Sequence, residues 1–244
     1  MVVGNVSLSK VTANGSVSNN GIQISNVTGV KGVSLKGVEA NNNGGHNLVV
    51  AVVSYDVIMS KIQADLGGSV GIYIQDVDGS KGVSLKDVGA STNTTHNIYI
   101  SNIDPGDVVL NKVTANDSVG ASGLHVFNAA AEVMVQNSFF NNNSSNGVET
   151  ENVAGLVLLK KVQGNGSVND SGAYLESSNF QLICSSQFID NWDYGVYGNT
   201  PGSSLTIAGT DLSSIPNICG SAYATPGTTL WENTSSKCVV IPPP

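Results

Sequence analysis

Short segments of alternating apolar and polar residues recur along the whole chain at a nearly constant spacing. An alternation with a period of two predicts β-strands, because successive side chains of a strand point to opposite faces. The spacing between the segments is about 25 residues. The first motif, V-x-L-x-x-V or a close variant, starts at Val6, Val33, Val57, Val83, Val108, Val133 and Val157, with looser copies at Leu182 and Leu205.

A second apolar segment lies inside each period, directly after a Gly or Asn. It starts at Ile22, Leu48, Ile72, Ile98, Leu124, Val148, Ala173 and Val196. Two or three short strands per repeat of this length predict a β-solenoid, in which stacked coils share one continuous core. The blades of a β-propeller need longer repeats, of about 40–50 residues.

The sequence therefore predicts an all-β parallel β-helix of about eight to nine coils over residues 1–210. An irregular segment, residues 211–244, follows and is expected to cap or cover the last coils. The apolar positions of both motifs predict the core, which should contain Val33, Leu35, Val38, Ile72, Ile74, Val83, Leu85, Ile98 and Ile100.

This repeat resembles the right-handed parallel β-helix of the pectin-lyase-like superfamily and the β-helix regions of large bacterial surface proteins. The resemblance covers roughly residues 5–210. It implies right-handed coils, which the rarity of left-handed parallel crossovers also favours. It implies no single activity, because one fold hosts many functions.

Two stretches fifty residues apart, Val30–Leu48 and Ser80–Ile98, share the core K-G-V-S-L-K and a later His-Asn pair. In a solenoid, equivalent residues of successive coils stack about 4.8 Å apart. The column of Lys10, Lys61, Lys112 and Lys161 carries lysine in every second coil. Relief of like-charge repulsion explains a two-coil repeat, and ancestral duplication of a coil pair explains it equally well.

Asn and Asp recur at both turns of the coil, which predicts ladders of stacked turn residues. The first turn reads Asn14, Asn41, Asp65, Ser91, Asn116, Asn141, Asn165 and Asp190; the second reads Asn26, Val52, Asp76, Asn102, Asn128, Asn152 and Ser177. Asn tolerates a left-handed backbone and bonds nearby backbone groups. We therefore expect these residues to be turn formers rather than ligands.

Composition narrows the range of functions. The chain has a net charge of −8, ten basic residues that are all lysine, and no apolar run long enough to span a bilayer. An acidic chain without a basic cluster is not expected to bind nucleic acid. Because repeat-like sequence follows Met1 directly, we expect the chain to be a segment of a longer protein.

Signatures of catalysis are weak. The pectin-lyase-like resemblance implies an Arg- or Lys-based lyase or an N-x-D…D-D…G-H-G…R-x-K hydrolase series, and only Gly45-His46-Asn47 partly matches. We therefore predict no cofactor, no metal and no cleavage of uronate polymers. Glu149, Glu151 and Glu176 could cluster on adjacent coils, where a solvated acidic patch is favoured over a calcium site.

The outward position between the two core residues of the second strand carries the main functional signal. It reads Gln23, Val49, Tyr73, Tyr99, His125, Glu149, Tyr174 and Tyr197. Aligned aromatic rings with polar tips could form a platform for sugar rings or a partner protein, or simply stabilise the sheet. Tyr73, Tyr99, His125, Tyr174 and Tyr197 are the candidate binding residues.

The cysteines and the tail give two further expectations. A disulfide is predicted between Cys219 and Cys238, with Cys184 as a buried free thiol because it alternates with Leu182. The outward column of the first strand ends in the apolar residues Val109, Met134, Leu158 and Ile183. We expect residues 211–241 to shield that column, unless it is an oligomer interface.

Three functional classes follow. The favoured one is a non-enzymatic extracellular β-helix, a stalk or adhesin-like segment of a surface or filament protein that binds carbohydrate or a neighbouring protein. A polysaccharide-active lyase, hydrolase or epimerase is the second. A self-assembling structural filament subunit is the third.

Overall fold

The computed structural model describes residues 4–177, 180–199, 204–212, 217–226 and 228–233. These residues form β-strands and contain no helix, so none of their elements is a helix that could cross a membrane. The strands are β1 Val6–Ser9, β2 Ile22–Val27, β3 Val33–Glu39, β4 Leu48–Val53, β5 Val57–Gln63, β6 Ile72–Val77, β7 Val83–Gly89, β8 Ile98–Ile103, β9 Val108–Thr114, β10 Leu124–Ala129, β11 Val133–Phe139, β12 Val148–Val153, β13 Val157–Gln163, β14 Ala173–Ser177, β15 Phe180–Cys184, β16 Tyr194–Asn199, β17 Ser204–Ala208, β18 Gly220–Ala224 and β19 Thr229–Asn233.

The strands alternate between two parallel sheets. The odd-numbered strands form a ten-stranded sheet, here called sheet B, and the even-numbered strands form a nine-stranded sheet, here called sheet A. Each strand pairs with the strand two places earlier and two places later, so each coil contributes one strand to each sheet. The prediction of an all-β parallel solenoid is confirmed, with about nine turns and two strands per coil.

The inward residues of both sheets form one continuous core. All nine residues that the motifs placed inside are at most 1 % exposed. Equivalent residues stack directly, as in Val33 beside Val57 and Val57 beside Val83. A single coil could not bury this face, and stacking removes it from water along the whole axis.

The polar turn ladders are also present. In the first turn, the backbone N–H of each coil bonds the side chain of the preceding coil, for example Asn41 N to Asn14 Oδ1 at 2.7 Å and Asn141 N to Asn116 Oδ1 at 2.7 Å. At the end of this ladder Ile189 N donates to Asn165 Oδ1 at 3.1 Å. Ile189 therefore takes the position that the sequence had suggested for Asp190.

The second ladder lies within the strands of sheet A at residues with positive φ. Asn26, Val52, Asp76, Asn102, Asn128 and Asn152 have φ between 53° and 62°. Asn102 Nδ2 donates to Asp76 Oδ1 at 2.8 Å, and Asn128 Nδ2 to Asn102 Oδ1 at 2.9 Å. The expected asparagine ladder is thus confirmed as a chain of side-chain hydrogen bonds at left-handed backbone positions.

The lysine column has a backbone role that its charge pattern did not indicate. Lys10, Lys61, Lys112 and Lys161 all have positive φ, and so do the residues that alternate with them. The interleaved positions are Gly37, Asp87 and Asn137. Gly, Asp and Asn are the residues that adopt this conformation most readily. The column is therefore a backbone bend that recurs in seven successive coils, as well as an alternation of charge.

A second asparagine network, not predicted from the sequence, lies inside the solenoid. The buried asparagine chain consists of Asn43, Asn47, Asn93, Asn97 and Asn143, none of them more than 2 % exposed. Within one turn, an Nδ2 group donates to the Asn four residues later, at 2.9 Å in both pairs. Between turns, Asn47 Nδ2 donates to Asn93 Oδ1 at 3.0 Å and Asn97 Nδ2 to Asn143 Oδ1 at 3.2 Å. These links skip one coil each.

Glycines of the skipped coils make this chain possible. A Cβ on Gly67 would lie 2.9 Å from Asn93 Oδ1, and one on Gly71 would lie 2.5 Å from Asn93 Nδ2. A Cβ on Gly21 would likewise lie 2.4 Å from Asn43 Nδ2. Between Gly21 and Gly123, asparagine-bearing and glycine-bearing turns therefore alternate, which gives the fifty-residue echo a packing cause beside the lysine charges.

The register departs from the sequence prediction at β15. Val157 pairs with Gln181 and Gln181 with Leu205, so Gln181 occupies the core column that had been given to Leu182. The Gln181 amide is accommodated there because its Nε2 donates to Leu175 O at 2.9 Å. Ile183 is consequently in the core rather than on the outward column.

The outward column of sheet B otherwise follows the expected order. It runs through Ile58, Val109, Met134 and Leu158, and then continues to Leu182. Ile58 is 45 % exposed, whereas Leu182 is only 5 % exposed. Residues 211–241 had been expected to shield this column; the described part of that segment contains β18 and β19, and residues 234–241 lie outside the described residues.

The solenoid continues beyond the predicted boundary at residue 210. β18 pairs with β16 in sheet A, and β19 pairs with β17 in sheet B. The part of residues 211–244 that the structure describes therefore adds a further coil to both sheets. The remainder of that segment lies outside the described residues.

The predicted cysteine pairing is wrong. Cys219 is an exposed free thiol, and Cys184 is disulfide-bonded; Cys238 lies outside the described residues. The shifted register explains the error, since Cys184 stands in the outward column beside Lys160 and Ala208. Cys219 instead lies directly before β18, where its N–H donates to Asp193 O at 3.0 Å.

Candidate functional site

Strand pairing places the predicted outward residues of sheet A in one unbroken column. Each residue is the direct ladder partner of the next, from β2 to β18. This column, here called the sheet-A stripe, consists of Gln23, Val49, Tyr73, Tyr99, His125, Glu149, Tyr174, Tyr197 and Tyr223. All five candidate binding residues lie in it, and the structure adds Tyr223.

The N-terminal part of the stripe is an aromatic stack. The rings of Tyr73 and Tyr99 are nearly parallel, at 9°, with centroids 5.3 Å apart. His125 meets Tyr99 edge-on at 5.2 Å. His46 packs on Tyr73 at 5.3 Å, and His96 packs on His125 at 5.0 Å. His46 and His96, which the sequence showed only as the repeated His-Asn pair, therefore belong to this stack.

A second aromatic stack occupies the C-terminal part. Tyr174 and Tyr197 stack at 5.2 Å with an interplanar angle of 22°, and Tyr197 contacts Tyr223 at 5.0 Å. Tyr194, the first residue of β16, stacks on Tyr223 at 5.2 Å. Tyr194 was missed because it precedes the alternating segment, although its spacing from Tyr197 could have suggested a neighbouring position.

The stacks change the kind of contact that the stripe can offer. Because neighbouring rings cover one another's faces, Tyr73, Tyr99, His125, Tyr174 and Tyr197 are only partly exposed. Solvent meets ring edges and hydroxyl groups rather than open faces. Tyr73 Oη donates to Gln75 Oε1, and Tyr174 Oη accepts from Asn199 Nδ2 at 3.1 Å. The stripe is therefore a hydrogen-bonding surface more than a flat stacking platform.

Carboxylates separate the two stacks. Glu149 stands in the stripe between His125 and Tyr174, and Glu151 lies two residues further along β12 on the same outward face. Ser122 Oγ donates to Glu149 Oε2. On the next strand, Glu176 Oε2 accepts from Asn199 Nδ2 at 3.0 Å. Glu149 and Glu151 thus lie together, and Glu176 lies on the adjacent coil.

The carboxyls and the histidines perturb one another. Partial burial raises the pKa of Glu151, and a hydrogen bond with the Glu149 carboxyl raises it further. His125 Nε2 lies 3.7 Å from Glu151 Oε1, with the His125 side chain 13 % exposed. Burial lowers the pKa of His125, against the opposing effect of the Glu151 charge. Both groups are therefore biased toward their neutral forms.

His96 is held neutral more strongly. Burial, and next the charge of His125, lower the pKa of His96 to about 4. Its Nδ1 accepts a hydrogen bond from Ser122 N at 3.3 Å, which requires that nitrogen to be unprotonated. His46 makes the equivalent contact with Val70 N at 3.2 Å. Both rings thus act as backbone acceptors while one ring face packs against the stripe.

The chain matches no protein-family model, no curated protein and no solved structure.

Proposed function

We propose that this chain is an extracellular β-solenoid segment that binds a hydroxyl-rich polysaccharide along the sheet-A stripe. The observation that carries the proposal is the stripe itself, in which tyrosine, histidine and glutamate side chains repeat once per coil along one sheet. Six of the seven tyrosines contribute to it or to its ring contacts. A regular row of polar ring edges suits a polymer whose own hydroxyl groups repeat along its length.

The charge of the stripe narrows the ligand class. Glu149, Glu151 and Glu176 lie between the two aromatic stacks, and the chain as a whole carries −8. An anionic polymer would bring like charges together here, which is unfavourable. The proposed ligand is therefore a neutral or amino-sugar polysaccharide rather than a uronate polymer.

The disulfide supports an extracellular location. Disulfides persist in oxidising compartments and are rare in the reducing cytosol, and Cys184 is disulfide-bonded. The pectin-lyase-like resemblance of the repeat agrees with a surface or secreted setting. A stalk or adhesin-like segment of a larger surface protein would present the stripe to polymers outside the cell.

Conservative variants can separate binding from ring packing. Tyr99→Phe with Tyr197→Phe keeps both rings in their stacks and removes two hydroxyl groups. Because one hydrogen bond contributes about 0.5–1.5 kcal/mol, the double variant should bind a neutral polysaccharide about tenfold more weakly in affinity electrophoresis. Tyr55→Phe is the matched control, since Tyr55 is 40 % exposed and lies outside the stripe.

Two outcomes would contradict the proposal. One is the absence of binding to every neutral or amino-sugar polymer of a broad glycan panel. The other is an affinity for polysaccharide that stays at the wild-type value both in the Tyr99→Phe, Tyr197→Phe double variant and in the Tyr55→Phe control. Tight binding to pectate or alginate instead would reject the charge argument.

A polysaccharide-active enzyme is the second candidate, because Glu149 and Glu151 form a carboxyl pair with a raised pKa on Glu151. Glycosidase carboxyls flank the scissile bond at about 5–5.5 Å or 6.5–9.5 Å. Glu149 and Glu151 lie on the same face of one strand, with carboxylate oxygens within 4.8 Å of one another, rather than on two sides of a substrate, which favours the binding proposal. Release of reducing ends that Glu149→Gln abolishes would instead establish catalysis.

A further inference from the structure

The geometry points to a divalent transition-metal site on sheet A, formed by His125, Glu149 and Glu151. His125 comes from β10, and both glutamates come from β12, its partner in the next coil. One donor atom from each of the three residues lies within 4.8 Å of the other two. The site goes beyond polysaccharide binding and does not depend on it.

His125 supplies an independent sign of a missing ligand. Both of its ring nitrogens are buried, and neither has a hydrogen-bond partner. Unpartnered buried nitrogens are unusual, and an ion is one of the standard reasons for them. The neighbouring rings do not supply the partner, because His96, Tyr99 and Phe127 pack on His125 with centroids 5.0, 5.2 and 6.3 Å away and none of them hydrogen-bonds its nitrogens.

The glutamates are placed to complete the coordination. Glu151 Oε1 lies 3.7 Å from His125 Nε2. Two ligands of a tetrahedral Zn²⁺ with bonds of about 2.0–2.1 Å stand roughly 3.4 Å apart, so a small side-chain rotation suffices. The hydrogen bond from Ser122 Oγ holds Glu149 Oε2, as an outer-shell partner orients a metal ligand.

The donor set selects the kind of ion. Imidazole suits Zn²⁺, Cu²⁺ and Ni²⁺, whereas Ca²⁺ and Mg²⁺ prefer oxygen ligands alone. One nitrogen and two carboxylates therefore favour a Zn²⁺-like ion over calcium. Three protein ligands leave a fourth position for solvent, and Glu151 is 35 % exposed, so this position can be reached from outside.

Metal titration of the whole chain tests the site. The untagged protein is dialysed against EDTA, freed of chelator and titrated with ZnCl₂ in a calorimeter. One ion should bind per chain, and His125→Gln and Glu151→Gln should each weaken binding by about a hundredfold or more, because loss of outer-shell partners alone costs 10–100-fold. His46→Gln and Glu132→Gln are matched controls away from the cluster and should retain wild-type affinity.

Imidazole NMR gives a second readout that needs no variant. On addition of Zn²⁺, the ring nitrogen resonances of His125 should shift, while those of His46 should not. The site is rejected if Zn²⁺ does not bind, if His46→Gln weakens binding as much as His125→Gln, or if His125 resonances stay in place. Polysaccharide binding is measured in EDTA, so either proposal can fail without the other.

Discussion

At the residue scale, burial decides the charge of the histidine rings on sheet A. His96 contacts Tyr99, His125 and Ser122. Its pKa in the folded chain is lowered to about 4, so the ring remains neutral until the pH falls to that value. In the unfolded chain the same ring takes up a proton near its usual pKa of about 6.5. The unfolded state therefore binds more protons between these two values, and stability falls as the pH drops through this window.

The variant His96→Gln should reduce that pH dependence. Gln keeps a side-chain acceptor for Ser122 N and does not titrate. The loss of unfolding free energy between pH 7 and pH 4.5 should be smaller by roughly 2 kcal/mol than in the wild type, as measured by urea unfolding. Tyr55→Phe, outside the stack, should show the wild-type slope, and an unchanged slope in His96→Gln would refute the assignment.

The cysteines give a second prediction at this scale. Cys219 is exposed and free, although a hydrogen bond with Asp193 raises the pKa of its thiol. Iodoacetamide should therefore alkylate Cys219 in the native, unreduced protein, slowly at pH 7 and faster at pH 9. Peptide mass mapping should find Cys184 modified only after reduction. Native alkylation at Cys184 would contradict the disulfide.

At the element scale, the sheet-A ladder contains one residue that does not suit its position. Val52 has φ 55° and is 47 % exposed, between Asn26 and Asp76 in a column of positive φ. A β-branched side chain is strained in this conformation. Val also interrupts the row of amide hydrogen bonds that Asn102 and Asn128 make elsewhere in the column.

Val52→Asn should therefore stabilise the protein. Relief of the left-handed strain, which costs roughly 1–2 kcal/mol per residue, should raise the free energy of unfolding by about 1 kcal/mol in urea. Val17→Asn is the control, because Val17 is 94 % exposed and has no positive φ. A neutral or destabilising Val52→Asn alongside a neutral control would show that the ladder contributes nothing here.

Most of the element arrangement could be predicted from the sequence, because each coil repeats the same alternation. For this reason the nine predicted core residues are buried, and the predicted outward residues of sheet A, from Gln23 to Tyr197, form one column. The prediction slipped by one residue at β15, where the polar Gln181 occupies a core column. Gln181 is polar, so the alternation of apolar residues did not mark it as a core residue, and the neighbouring Leu182 was predicted to be in the core instead.

The candidate site was only partly predictable. The register of β10 and β12 followed from the repeat, but the approach of His125 to Glu151 depends on side-chain conformation. The buried asparagine chain was missed for a related reason. Asn at a turn ordinarily indicates a turn former, and nothing in the local sequence shows that Asn47 and Asn97 point inward.

At the scale of the whole molecule, the coils fall into two parts. Between Gly21 and Gly123, the alternation of asparagine-bearing and glycine-bearing turns makes the coil pair the packing unit, whereas the later coils carry glycine in succession at Gly147, Gly172 and Gly195. Deletion of residues 33–82 joins Gly32 to Val83 and brings Asn93 to the place of Asn43. Deletion of residues 33–56 joins Gly32 to Val57 and sets Gly21 against Gly71. The second variant removes the Asn43 contacts to Ser16 N and Ala13 O without replacing them.

We expect the single-coil deletion to be disproportionately harmful. If all coils were equivalent, the single-coil deletion would lower the free energy of unfolding by half as much as the deletion of a coil pair, because the stability of a solenoid is a sum over neighbouring coils. Here its loss in unfolding free energy should exceed that half by roughly 2 kcal/mol or more, since each unsatisfied buried polar group costs about 1–3 kcal/mol. Urea unfolding of the wild type and the two deletion variants measures these losses. A single-coil deletion that costs only half as much as the pair deletion would refute the prediction.

The buried asparagine chain also constrains how such a protein can change its length over generations. In the coils between Gly21 and Gly123, a recombination between tandem gene repeats that slips by one coil would place two asparagine-bearing or two glycine-bearing turns together and would break the Asn47–Asn93 type of hydrogen bond. A slip of two coils restores the alternation and leaves a foldable chain. In this part of the chain we therefore expect length to be inherited in steps of two coils, and the shared residues of Val30–Leu48 and Ser80–Ile98 are the kind of trace that one such step leaves.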